Sequence, residues 1–350
     1  MATSRWSGRT GRAPALTGVQ QVIAEALAEQ LPGGVRRGEL DRDGRALRWL
    51  EAGPGTGGGP PVVLVAGMGT SSLTWAPLLP ELAGRARVVA YDRAGLGASE
   101  PDRAPAPTLD TQVADLAALV RHLDAGPAVL VGHSWGGQLA QLLARERPEL
   151  VAGLVLVDPA HEDFRPRAIS VIESLLLRIE LVRIGLLRIG LFRAARVPAA
   201  PGTSDVPGTR DVPGTRDVPG TRDVPGTRDV PGPGNAAARA EAAVLAHPHQ
   251  RRAVLAENRL SNRATGQLRR RRAAGPSPEV PGTVLSATLG LPRGLRARFT
   301  AAQARITAGA ALGVHLVVPG AGHAVHQDRP GVVAEAVLAV SRQVRIARKA

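Results

Sequence analysis

Short apolar runs alternate with amphipathic stretches along most of the chain. Val62 to Ala66, Ala128 to Val131 and Leu154 to Val157 are continuous apolar runs, and Ala86 to Tyr91 is nearly one. Each has the length of a strand buried on both faces. Between them, Leu73 to Leu82, Thr108 to Leu123 and Gln138 to Arg147 carry the helical period, the last ended by Pro148. Upstream, Arg37 to Leu40 and Ala46 to Glu51 flank Asp41-Arg42-Asp43-Gly44, the signal of a β-hairpin. The alternation returns late, as strand Val280 to Ala287, helix Leu295 to Ala308, strand Val314 to Val318 and a closing helix, Gly331 to Ala347. Strands alternating with helices predict an α/β fold, a mostly parallel sheet flanked by helices.

Two stretches break this order. Residues 1–34 form an expected N-terminal arm, partly disordered, with a helix from Val19 to Leu31 ended by Pro32-Gly33-Gly34. The second break is longer. Ile169 to Phe192 reads as a helix carrying Arg178, Arg183 and Arg188, with Arg193 directly after it; their spacing of five winds them around the axis and lines no single face. A lid helix with solvated charges fits this better than a membrane-surface helix. The hexapeptide Asp205-Val206-Pro207-Gly208-Thr209-Arg210 then recurs to Gly232. Proline and glycine in every unit exclude a helix and weaken a strand, so 205–232 is read as a disordered tandem insert. Ala236 to Leu260 reads as helix, and the arginine-rich stretch to Gly275 as a linker. The expected organisation is a core of 35–160 and 276–350, interrupted between two strands by a helical cap or lid insertion, 161–275.

Composition narrows the partners. The 350 residues carry a formal net charge of +14, almost all from arginine, with Lys349 the lone lysine. Such an excess suits nucleic acid, an anionic surface or an acidic ligand. Aromatics are only 2% of residues, which leaves little to stack on bases, and the basic runs are scattered. The surplus is therefore read as a coding bias that also raises Ala, Gly and Pro. No charge-free apolar run is long enough to span a membrane, so no stable membrane insertion is expected. With no cysteine there is no disulfide and no thiolate chemistry, and cytoplasmic residence is the default expectation.

The chemistry centres on Gly132-His133-Ser134-Trp135-Gly136, which follows an apolar strand and opens a helix. That strand–turn–helix setting is what a nucleophile elbow requires: glycines avoid clashes in a tight turn that holds Ser134 exposed at the strand tip. Its expected base is His323, in Gly320-Ala321-Gly322-His323 directly after the last strand. His326, three residues on, would make a His-x-x-His metal pair, but no carboxylate pattern completes it. His133 is read as a packing residue. For the acid, Ala287 to Gly313 contains no Asp or Glu, whereas Asp158 ends Leu154-Val155-Leu156-Val157. Asp158 is therefore assigned to orient His323, with Glu162 and Asp163 as fallbacks. Backbone N–H groups of Met68, in Gly67-Met68-Gly69, and of Trp135 are the expected oxyanion donors.

These residues resemble the α/β-hydrolase superfamily, its cap-bearing, lipase- and esterase-like branch. Val65 to Gly69 looks like its oxyanion loop, and Asp92-Arg93-Ala94-Gly95-Leu96-Gly97-Ala98-Ser99 like its Asp-x-x-Gly-x-Gly-x-Ser turn, in which Asp92 is structural. Gly132 to Gly137 and Gly322-His323 resemble its elbow and base. Ala66 departs from the histidine many members carry there. The resemblance implies an α/β-hydrolase fold and cleavage of an ester-type bond of a small-molecule substrate, with no metal or organic cofactor. Amide, lactone or carbon–carbon hydrolysis on the same residues stays open, as does a non-catalytic binding protein of this fold.

Overall fold

The computed structural model describes residues 16–31, 33–54, 59–102, 106–164, 240–241, 243–245, 247–275, 279–308 and 313–348. The expected helix Ile169 to Phe192 and the hexapeptide repeat lie outside the described residues. Among the described residues, eight strands form one sheet in the order β1-β2-β4-β3-β5-β6-β7-β8. They are β1 (Arg36–Asp41), β2 (Ala46–Ala52), β3 (Val62–Val65), β4 (Val88–Tyr91), β5 (Ala128–His133), β6 (Val151–Val157), β7 (Gly282–Ala287) and β8 (Gly313–Val318). β1 and β2 are antiparallel, β2 pairs antiparallel with β4, and every later pairing is parallel. The hairpin turns on Asp43 and Gly44, at φ 56° and 74°, the left-handed pair a two-residue connection needs.

Strand side chains alternate between the two faces, which is why the central strands read as unbroken apolar runs. Val62, Leu64, Val129, Val131, Val155 and Val157 join one core, and Val63, Val65, Leu130, Leu154 and Leu156 the other. The first core is covered by α1 (Leu16–Ala28), α2 (Leu79–Ala83) and α9 (Pro330–Ala347). The second is covered by α3 (Leu109–His122) and α4 (Trp135–Glu146). Thr108 caps α3, its hydroxyl accepting from the Thr111 N–H at 3.1 Å. Helix α1 lies within the first core: Val19, Ile23 and Leu27 are buried, and the Gln20 side chain donates to Gly38 O and Trp49 O at 2.9 and 3.0 Å.

Two local expectations need correcting. The helix foreseen from Leu73 to Leu82 is a 3₁₀ turn, Ser72–Trp75, followed by the short α2, because Pro77 and Pro80 break the ladder of hydrogen bonds. The arginine-rich linker is instead helix α6 (Thr265–Ala273), directly after α5 (Pro248–Arg263). It buries little besides Leu268, and its arginines are anchored outward: Arg269 to Asp163, Arg271 to Asp110 and Glu146, Arg272 to Glu162. A short helix α8 (Val325–Asp328) follows α7 (Arg293–Ala308) and β8, where no helical period could show over four residues. Among the described residues, no helix is long and apolar enough to cross a membrane.

Ile23 has no exposed surface. Ile23→Ala is expected to lower the unfolding free energy by about 2–5 kcal/mol in urea titrations. A loss below about 0.5 kcal/mol would show that α1 is not part of the core.

Candidate active site

β5 ends at His133 and α4 begins at Trp135, so Ser134 alone makes the turn. Its backbone sits at φ 50° and ψ −113°, a strained region costing on the order of 1–3 kcal/mol. The turn closes this tightly only because two neighbours lack side chains. A Cβ on Gly136 would lie 2.1 Å from Val65 O, and one on Gly132 would lie 2.6 Å from Gly137 Cα. The Ser134 N–H donates to Val157 O at 3.1 Å, and Ser134 O accepts from the Gly137 and Ala160 N–H groups, both at 3.1 Å. The hydroxyl is thereby placed at the C-terminal edge of the parallel strands and at the N-terminus of α4.

Three residues from distant segments meet there. Ser134 Oγ lies 3.0 Å from His323 Nε2, and His323 Nδ1 lies 2.7 Å from Asp158 Oδ2. His323 comes from the loop between β8 and α8, and Asp158 directly follows β6. The Asp158 carboxylate is fully buried. Its Oδ1 accepts from the Ala287 N–H at 3.1 Å, Gln303 Nε2 at 3.0 Å and Arg296 Nη1 at 3.1 Å. Burial pushes this carboxyl up, but the His323 and Gln303 bonds and the Arg296 charge outweigh it and hold it below its ordinary value. The acid-free stretch Ala287 to Gly313 thus supplies donors to an acid from β6. The fallback acids are engaged elsewhere, Glu162 by Arg272 and Gln138 and Asp163 by Arg269 and Arg305.

Of the two expected backbone donors, Trp135 directly follows Ser134 in the chain. The Trp135 N–H is the first of α4, where no intrahelical acceptor exists. Met68 lies in the loop after β3, which passes close by: a Cβ on Gly67 would stand 3.7 Å from Ser134 Cβ. In the turn after β4, Asp92 accepts from the Ser72 and Ala98 N–H groups at 2.6 and 2.9 Å and ties that turn together.

Sequence reasoning passed over several partners. Arg296 and Gln303 carry no motif, and His133 does more than pack: its Nε2–H donates to His323 O at 3.0 Å. The His133 ring lies 4.7 Å from that of His323 and 4.5 Å from that of His326. Burial, then repulsion from His323 and His326, drives His133 well below the ordinary imidazole value. Burial, with His323 adding, pushes His326 down to about 3. Both are neutral at neutral pH. Among the described residues, no group of three His, Cys, Asp or Glu side chains is placed to hold a metal ion.

Residues 62–336 match the model of the alpha/beta hydrolase family. The chain belongs to the alpha/beta hydrolase family. The Bacillus subtilis (strain 168) protein YqjL is 41% identical over 103 residues, 29% of this chain and 40% of that protein. Lipase LipV of Mycobacterium tuberculosis is 44% identical over 98 residues, 28% of this chain and 35% of the lipase. The chain thus spans about two-fifths or less of the length of the first curated relatives it matches. The solved enol-lactonase from Burkholderia xenovorans LB400 superposes with a TM-score of 0.60 over 87% of this chain and 99% of that one. At 19% identity that likeness bears on the fold alone.

A pH effect on stability follows for this alpha/beta hydrolase family member. Unfolded, His326 titrates near its ordinary 6.5; folded, it titrates near 3. Between those values the unfolded chain binds a proton that the folded chain does not, so stability falls as pH drops below 6.5. His326→Gln is expected to flatten this slope by about 1.4 kcal/mol per pH unit between pH 6 and 4.5. Urea titrations with equal slopes for both proteins would contradict this.

Proposed function

We propose that this protein is a serine hydrolase that cleaves an ester-type bond of a small molecule through an acyl-enzyme. The observation that carries the reading is the run of contacts from Ser134 Oγ to His323 Nε2 at 3.0 Å and from His323 Nδ1 to Asp158 Oδ2 at 2.7 Å. With Nδ1 protonated and donating to Asp158, Nε2 has a lone pair for the Ser134 proton. Oγ then forms a bond to the carbonyl carbon while the carbonyl π pair moves onto oxygen. The Met68 and Trp135 N–H groups bind that oxyanion. Collapse breaks the carbon–oxygen bond, and His323 returns its proton to the departing alcohol. Water, deprotonated by His323, repeats the attack on the acyl carbon, releases the carboxylic acid and restores the Ser134 hydroxyl. Asp158 stays ionised throughout and stabilises the imidazolium.

A serine at the elbow suits acyl transfer, in contrast to the aspartate nucleophile of epoxide-opening relatives of this fold. Lactones, amides and carbon–carbon bonds are within reach of the same residues, since fold does not set the substrate. The inserted stretch 161–275 is assigned as a cap over the site, and the absence of cysteine fits a cytoplasmic setting. No nucleic acid, metal or organic cofactor takes part in the steps above.

The test is covalent labelling by a fluorophosphonate probe. Wild type is expected to label and Ser134→Ala not to. His323→Ala and Asp158→Asn are expected to label roughly 10³–10⁴-fold more slowly. Absence of labelling in folded wild type would overturn the reading in favour of a non-catalytic binding protein.

A further inference from the structure

Outside the Ser134–His323–Asp158 run, buried polar groups converge on one carboxylate. Glu257, in α5, is 1% exposed, and Arg93 is 2% exposed. Glu257 Oε1 accepts from Arg93 Nε and Gln112 Nε2, both at 2.6 Å. Its Oε2 accepts from Arg93 Nη2 and from the Gly69 N–H, both at 2.8 Å. Arg93 also donates to Ala66 O at 2.7 Å and to Gly67 O at 2.6 Å. Gln112 in turn accepts from the Trp135 indole at 2.9 Å. The loop 66–69 is therefore gripped through two carbonyls by Arg93 and through one N–H by Glu257.

The grip has a directional consequence. The Gly67 carbonyl and the Met68 N–H belong to one planar trans peptide, so they point in opposite directions. Turning the carbonyl toward Arg93 turns the Met68 N–H away from it. Helix α5 is fitted to the same surface by packing. A Cβ on Gly69 would meet Val254 Cγ1 at 2.9 Å, and one on Gly95 would meet Ala253 Cβ at 2.9 Å. Gln250 Oε1 accepts from the Gly97 N–H at 2.9 Å. The insertion is thus joined to the loop after β3 and to the turn after β4.

We propose that Glu257 is a positioning residue for the oxyanion hole: it holds the Arg93 guanidinium, which orients the Gly67–Met68 peptide and so aims the Met68 N–H. This rests on the serine-hydrolase reading. It makes catalytic competence depend on the docking of α5, because the carboxylate that completes the grip comes from the insertion and not from the strands.

The experiment measures fluorophosphonate inactivation of the full chain, separating the maximal rate kinact from the half-saturating concentration KI. Removing one oxyanion donor costs about 10²–10³-fold in precedent. Glu257→Gln misdirects the donor without removing it and is expected to lower kinact by about 10- to 100-fold, with KI within about threefold. The single variant leaves Arg93 buried without its counter-charge and can fold poorly. Arg93→Met/Glu257→Met removes both charges together; it is expected to remain folded by circular dichroism and to show the same loss in kinact. An unchanged kinact per folded molecule in either variant overturns the proposal and leaves the ion pair a purely structural contact. A loss confined to KI overturns it as well, since that marks altered binding. Absence of labelling in wild type defeats the serine-hydrolase reading itself, whereas a labelled wild type with an unaffected Glu257→Gln defeats this proposal alone.

Discussion

The steric closure around Ser134 is the constraint on which the rest of the structure depends. A residue at φ 50° and ψ −113° persists only where its surroundings over-determine it. Here β3 supplies the wall, since Val65 O leaves no room for a Cβ at position 136. β6 supplies the acceptor, Val157 O, for the Ser134 N–H, and the segment after β6 returns the Ala160 N–H to Ser134 O. Three adjacent parallel strands must therefore be in register before the hydroxyl is in place. Glycine at 132 and 136 is required because backbone, not flexible side chain, occupies the space where a Cβ would go.

The buried charges are organised by the same logic. Among the described residues four arginines are buried, Arg45, Arg48, Arg93 and Arg296. Each has a carboxylate partner: Asp115, Glu39, Glu257 and Asp158. Removing a charge from water is costly unless it is paired and hydrogen-bonded, so these arginines are tied to specific sites. Two of the four touch the candidate chemistry. Arg296 shares the Asp158 carboxylate with His323, and Arg93 holds the loop that carries Met68. The arginine-rich composition, read from the sequence as a coding bias, includes side chains with defined structural work.

Ser134 was readable because an elbow is a local object, five residues between a strand and a helix. His323 was readable because a Gly-Ala-Gly-His loop after the last strand is local as well. Asp158 was placed by elimination, and the elimination pointed to the residue the geometry puts 2.7 Å from His323. The errors have equally local causes. Pro77 and Pro80 lie inside a segment whose apolar spacing outweighed them in the reading. Helix α6 has no apolar stripe, because its ordering comes from Arg269, Arg271 and Arg272 reaching Asp163, Glu146, Asp110 and Glu162 on other elements.

The sequence by itself determined the alternation of strands and helices, the hairpin at Asp43-Gly44, the elbow at Ser134 and the identity of the late histidine. Each depends on periodicity or on the sterics of a few adjacent residues, which any reading along the chain can see. Only the tertiary structure decided that Gln303 and Arg296 support Asp158, that α1 closes one core, and that Glu257 meets Arg93. The last two partners are 164 positions apart and have no shared motif. They become neighbours only once the sheet has set the turn after β4 beside the loop after β3 and α5 has packed across both. A contact of that kind follows from three-dimensional packing and the need to pair a buried charge, neither of which leaves a periodic trace along the chain.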